Sequence, residues 1–200
     1  MQGNAEAAAT GAQPKSTTAA GNAAPERASA APVAARPVSV TKACRTPASS
    51  VGSGTALPGQ TPPDFAATTV DCKKLSFAEF TKGRPTLVDF YASWCEPCKE
   101  EAKDIESLYN EWRDKNGFTV VGINTKDEAG NPDIFYEKYG WTFASVWDDK
   151  EKILNAWDNK SGVVSTLPAA FWIHSDGTVS EVVIGSMSHD EMEQHMAKLH

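Results

Sequence analysis

The sequence predicts an α/β domain, a mixed central sheet with helices on both faces. Three observations carry that expectation. Two apolar, β-rich runs, Thr86–Tyr91 and 118–124, read as buried strands, and an amphipathic stripe lies between them. Two later runs, 170–174 and Val179–Ile184, flank a turn at Ser175-Asp176-Gly177 and read as a hairpin. A helix pattern then closes the chain. Strands alternating with helices, then a hairpin and a final helix, suit a sheet covered on both sides.

Residues 1–60 contain no Phe, Trp or Tyr and are mostly Ala, Pro, Ser, Thr and Gly. Such a stretch buries too little apolar surface to offset its ordering entropy, so a disordered tail or spacer is expected, with the domain at 61–200. Order should start near Pro62-Pro63-Asp64. Residues 65–70 read as a short strand and 71–74 as a turn. Ser76 and Glu79 form a capping-box pattern for a short helix that stops by Gly83. The strand Thr86–Tyr91 follows. Cys98, Ala102, Ile105, Leu108, Tyr109 and Trp112 then recur at steps of three and four, one stripe of a helix that should end near Asn116-Gly117. A right-handed crossover should join this strand to 118–124. Asn131-Pro132 opens a helix through Tyr139, which Gly140 stops. Residues 143–147 read as a short strand and 150–157 as a short helix. Ser188 and Glu191 make a second capping box, for a helix to Leu199.

Charge excludes some partners. The chain carries −7 overall, and residues 1–60 hold five basic and two acidic residues, +3, leaving −10 on the remainder. An acidic domain argues against nucleic acid. The tail's basic residues are scattered, so no polybasic membrane patch is expected. No run of 18 apolar residues exists to span a bilayer. The start, Met1-Gln2-Gly3-Asn4, lacks the basic and apolar regions of a signal peptide. The chain is therefore either cytoplasmic or begins after a removed export signal. The tail is either a spacer from a membrane anchor or an inert extension.

The chemistry concentrates at Trp94-Cys95-Glu96-Pro97-Cys98-Lys99, where the first buried strand ends and the long helix begins. A helix N-terminus offers unpaired N–H groups and partial positive charge, which favour thiolate over thiol. Pro97 fits the first turn, where a missing N–H is not needed. Zinc would need two more ligands. Cys44 and Cys72 are isolated from each other, and none of the four histidines lies at ligand spacing from the pair, so no metal is expected. A disulfide across a two-residue gap closes too small a loop to stabilise much. A redox-active dithiol is the reading that remains. Cys95, the first cysteine and nearer the surface end, should attack. Cys98, one turn further in, should resolve the mixed disulfide.

The segment 88–99, Val-Asp-Phe-Tyr-Ala-Ser-Trp-Cys-Glu-Pro-Cys-Lys, resembles the active-site segment of thioredoxin-fold proteins. Pro63-Asp64-Phe65 and then 71–80 resemble the hairpin and helix that precede the core in the TlpA/ResA/CcmG (DsbE) branch. The insert 127–161 also resembles that branch. The similarity covers about Pro63 to Leu199. It implies a thioredoxin-like fold with an N-terminal β-hairpin extension. It also implies thiol-disulfide exchange in an exported, mostly membrane-tethered protein, with no metal or organic cofactor. Glu-Pro between the cysteines is similar to the ResA-type proteins of cytochrome c maturation. Two departures stand out: Lys103 where the branch usually has Pro, and Cys72 where it has a turn glycine.

The resemblance also assigns roles. Pro168 matches the cis-proline placed beside the dithiol, which would set the Leu167 backbone to pair with an extended substrate peptide. Asp89 matches a buried aspartate that accepts a proton behind the second cysteine; a solvent-facing strand residue is the alternative. Glu101, three residues after Cys98, matches a glutamate near the dithiol, or is an ordinary solvated one. Glu96 should raise the Cys95 thiol pKa and so push toward a reductant. Trp94 is either an apolar platform for substrate or an aromatic packed at the strand end. With the C-x-x-C pair assigned, Cys44 and Cys72 remain. They are either two unrelated thiols or a disulfide closing about 28 residues, worth on the order of 3 kcal/mol. Such a disulfide would favour an extracytoplasmic location. The expected activity is reduction of oxidised exported proteins, apocytochrome c among them. Electrons would come from a membrane thiol carrier, and the protein would act as a monomer. A thiol oxidase or isomerase, or a peptide-binding module without turnover, are the competing functions.

Overall fold

The structure is a computed structural model of the chain and describes residues 48–127, 132–158, 162, 164 and 166–199. Its central sheet has five strands in the order β6-β5-β4-β7-β8. These are β4 (Thr86–Tyr91), β5 (Thr119–Thr125), β6 (Ala144–Asp148), β7 (Ala169–Ile173) and β8 (Val179–Ile184). The first three pair in parallel, and β7 and β8 add antiparallel. A smaller antiparallel sheet precedes them: β1 (Ser50–Val51), β2 (Phe65–Thr68) and β3 (Lys74–Ser76). The helices are α1 (Phe77–Thr81), α2 (Glu96–Asn116), α3 (Pro132–Tyr139), α4 (Lys152–Asp158) and α5 (His189–Met196).

β4 and β5 are buried along their whole length, as near-continuous apolar runs in a two-sided sheet should be. Side chains alternate between the faces. Leu87 and Tyr91 point into one core with Cys95, Cys98, Ala102, Ile105 and Leu108 of α2 and Met192 and Met196 of α5. Val88 and Phe90 point into the other, with Ile153, Leu154 and Trp157 of α4 and Phe65 and Phe77 of the N-terminal unit. Trp157 anchors the second core. Its ring lies 5.1 Å from Phe171 and 5.3 Å from Phe77, and its indole N–H donates to Pro63 O at 3.0 Å. In the middle of β5, a Cβ on Gly122 would meet the rings of Trp141 and Tyr91 at 3.2 Å, so the close fit of those aromatics needs glycine there.

The domain reaches further toward the N-terminus than composition implies. The boundary was expected at Gln60. Yet β1 pairs with β2, and Ala48 and Ala56 are 3% and 1% exposed in the second core. Small side chains are buried here against larger partners from elsewhere, so the absence of aromatics was no guide.

The Ser76–Glu79 capping box does not form, since Ser76 makes no side-chain cap bond. Asp64 takes its place, its Oδ1 accepting from Phe65 N–H at 2.8 Å and Ala78 N–H at 2.9 Å. The Ser188–Glu191 box forms in full, and Gly117 ends α2 with φ 77°.

The N-terminal unit also covers both outer strands of the central sheet. Val70 N–H donates to Ser145 O beside β6, and Thr69 bridges Val146. Gly59 N–H donates to Val179 O, and Val179 N–H to Gln60 O, beside β8.

Candidate active site

β4 ends at Tyr91 and α2 begins at Glu96, with Cys95 as the N-cap. Its backbone is extended, φ −77° and ψ 110°, and its Sγ accepts from Cys98 N–H at 3.2 Å. One orphan donor of the helix start is thus spent on the sulfur, the arrangement that favours a thiolate. Cys95 and Cys98 form a disulfide with Cα atoms 5.3 Å apart. In this oxidised state Cys95 is 3% exposed and Cys98 2%. Cys95 is therefore hardly nearer the surface than Cys98, because its sulfur turns inward to its partner. The exposed residues around it are Trp94, at 58%, with Glu96 and Pro97. Trp94 is not packed down at the strand end; only its indole N–H is held, donating to Lys126 O at 2.7 Å.

Glu96 does not stand alone beside the sulfur. Lys99 Nζ lies 2.8 Å from its carboxylate, and that bond holds the Glu96 carboxyl below its usual range. The expected upward push on the Cys95 thiol therefore meets a compensating cation.

Two other carboxylates are buried on the elements that flank the dithiol, Asp89 on β4 and Glu101 on α2. Asp89 shares the face of β4 that Leu87 and Tyr91 turn toward α2. It is 1% exposed and neither oxygen has a hydrogen-bond partner. Glu101 is 2% exposed; Oε2 accepts from Met187 N–H at 2.9 Å and Oε1 is unpartnered. Burial raises both carboxyls above the usual range, and the charge on Asp89 raises Glu101 further. The solvent-facing alternatives are thus excluded for both. Carboxyls raised in this way are able to exchange protons near neutral pH.

The Leu167–Pro168 peptide bond is cis. Phe90 pairs with Ala169 in antiparallel register, so Pro168 and Leu167 continue alongside Tyr91 and Ala92, the residues leading to Cys95. Leu167 packs against the core that holds both cysteines. Cys44 lies outside the described residues. Cys72, which is not a free thiol, has φ 70°, the left-handed conformation that glycine adopts most readily. Among the described residues, His189, Asp190 and Glu193 bring ligand-type atoms within 4.8 Å of one another at the start of α5; the group includes neither cysteine.

The family model of AhpC/TSA proteins matches residues 58–182. The chain belongs to the AhpC/TSA family. Within this thioredoxin-like family it is similar to the thiol-disulfide oxidoreductase ResA of Bacillus subtilis, 29% identical over 69% of this chain and 73% of ResA. The thioredoxin-like protein YneN of the same organism is 33% identical over 69% of this chain and 78% of its own length. A thiol:disulfide interchange protein of Chlorobium tepidum superposes with a TM-score of 0.62 at 28% identity, covering 68% of this chain and 93% of that one. A secreted disulfide oxidoreductase of Mycobacterium tuberculosis, described as homologous to DsbE of Escherichia coli, gives 0.57 at 28%, covering 68% and 96%. This AhpC/TSA protein is a thiol-disulfide oxidoreductase of the TlpA/ResA/CcmG branch, with the thioredoxin-like fold.

This oxidoreductase holds its dithiol loop with residues that sequence reasoning passed over. Ser93 N–H donates to Asp127 Oδ2 at 2.8 Å, and Asn124 Nδ2 steadies the same oxygen at 3.2 Å. Asn124 near the end of β5 and Asp127 just after it lie at the carboxyl end of the parallel strands, where sites in open α/β sheets form. Polar side chains at the end of an otherwise apolar run were the available signal.

Proposed function

We propose that this oxidoreductase reduces disulfides in exported proteins. The observation that carries the reading is the pair of buried carboxylates, Asp89 on β4 and Glu101 on α2, the two elements that meet at the dithiol. Burial holds these carboxyls above their usual range and supplies no positive charge to stabilise a buried thiolate, so the reduced form gains little from ionisation and the dithiol gives up electrons. Cys95, as thiolate, attacks one sulfur of a substrate disulfide; a Cys95–substrate disulfide forms and the other substrate sulfur leaves as thiolate. Cys98 passes its proton to a buried carboxylate and attacks Cys95 Sγ. The Cys95–Cys98 disulfide closes and the second substrate sulfur departs reduced. An external dithiol must then restore the pair, a role suited to a membrane thiol carrier.

An extended substrate strand pairs with the Leu167 backbone, and exposed Trp94 supplies an apolar platform. The secreted relative supports an extracytoplasmic location. Among the described residues no helix is long and apolar enough to cross a membrane, so tethering would use another part of the protein. Apocytochrome c is one substrate of suitable chemistry, and a Cys44–Cys72 disulfide would suit the same compartment.

Insulin reduction with dithiothreitol as electron source tests this. The wild type should turn over and Cys95→Ser should not. A wild type inactive on insulin, yet active in oxidising a reduced protein, would overturn the reductase reading in favour of an oxidase. Binding without any turnover would leave only a peptide-holding module.

A further inference from the structure

We propose that Lys126 is a positioning residue for substrate capture, bracing together the three loops that surround the dithiol. The inference rests on the reading that Leu167 receives the substrate strand. Lys126 has φ 52°, a left-handed backbone that a lysine adopts only when its surroundings impose it. Its carbonyl takes the indole N–H of Trp94 in the β4–α2 loop. Its Nζ reaches across 38 residues of sequence and donates to Val164 O at 3.3 Å. Val164 is 2% exposed and stands four residues before Pro168, in the segment that delivers Leu167. The neighbouring Asp127 holds Ser93.

One end of β5 thus reaches the loop that carries the attacking sulfur and the segment that presents the docking backbone. An extended peptide must meet both at once, so it is sensitive to their spacing. A small disulfide meets only the sulfur. The side chain of Lys126 fixes the second distance and takes no part in the exchange itself, which is the signature of a residue that sets KM rather than kcat.

The test compares K126M, K126G and K126R with wild type on two substrates, a synthetic extended peptide disulfide and 2-hydroxyethyl disulfide. K126G suits φ 52° and keeps the carbonyl, so it guards against a folding defect. K126M and K126G should raise KM for the peptide about fivefold, the scale of one ordinary hydrogen bond, as suits a long 3.3 Å contact. Peptide kcat and the KM for 2-hydroxyethyl disulfide should change less than about twofold on the same scale. K126R should restore peptide KM. An unchanged peptide KM in folded K126M and K126G, an equal rise for both substrates, or failure of K126R to restore it would overturn the proposal. A peptide N-methylated beside its cystine separates the two readings. Should wild type handle it as well as the parent peptide, strand pairing at Leu167 fails and the brace with it. If methylation weakens binding but K126M and K126G do not, only the role of Lys126 is lost.

Discussion

Asp89 and Glu101 are the residues whose environment departs most from what their chemistry prefers. Each carboxyl has a folded-state pKa above its unfolded value, Asp89 from burial and Glu101 from burial first and the charge of Asp89 second. The folded chain therefore binds more protons than the unfolded one. The stability this contributes is fully present below the ordinary carboxylate range, near pH 4, and is lost as pH rises through the raised values. With Cys95–Cys98 kept oxidised, so that no thiol titrates, denaturant unfolding should show stability falling from about pH 5 to pH 8. Asp89→Asn should flatten that fall and be more stable than wild type at pH 8 by on the order of 1–3 kcal/mol, since a neutral amide avoids the desolvation cost that the buried carboxyl meets as it ionises. In the reduced enzyme the same variant should slow resolution on the order of 100-fold, with the Cys95 mixed disulfide accumulating in mass spectra. An unchanged pH profile would show that Asp89 is not the buried acid described. The aspartate was legible as a lone charge in an apolar strand. The burial of Glu101 was not, because its bond to Met187 N–H comes from 86 residues away and sequence spacing shows only which helix face it shares.

At the scale of the elements, local signals read well where the neighbourhood agrees with them. α2 starts at its cysteine cap and stops at its left-handed glycine as the pattern foretold, since both signals act within one turn. Two short motifs of the same kind diverged. Ser188 and Glu191 cap α5, whereas Ser76 and Glu79 leave α1 to Asp64, a residue from before β2. Strand β3 was not expected, Lys74 being read into the turn and Ser76 as a helix cap, because three residues with a single apolar side chain give no periodicity; pairing with β2 makes it a strand. The cap has a measurable consequence. Asp64→Ala should lower stability by about 1 kcal/mol in urea unfolding, and Ser76→Ala by only a few tenths. The reverse order would show that Ser76 is the working cap.

Across the whole molecule, the alternation of strands and helices, the closing hairpin and the dithiol at the strand-to-helix junction were all legible, because each is written in periodicity or in a contiguous motif. The N-terminal boundary was not. Residues 48–60 hold their place through backbone hydrogen bonds and buried alanines, and neither leaves a compositional mark. Their position matters because an open sheet edge templates association. Deleting residues 1–62 should uncover the outer edge of β8 at Val179 and produce concentration-dependent association in sedimentation. A deletion that stays monomeric and folded would show that this edge needs no cover.

Function turns on the direction in which electrons leave the Cys95–Cys98 pair, and an equilibrium titration against glutathione, read by alkylation and mass, measures it directly. The buried carboxylates predict a potential below about −230 mV, toward the about −270 mV of thioredoxin; a value near about −120 mV, that of a strong oxidant, would contradict it.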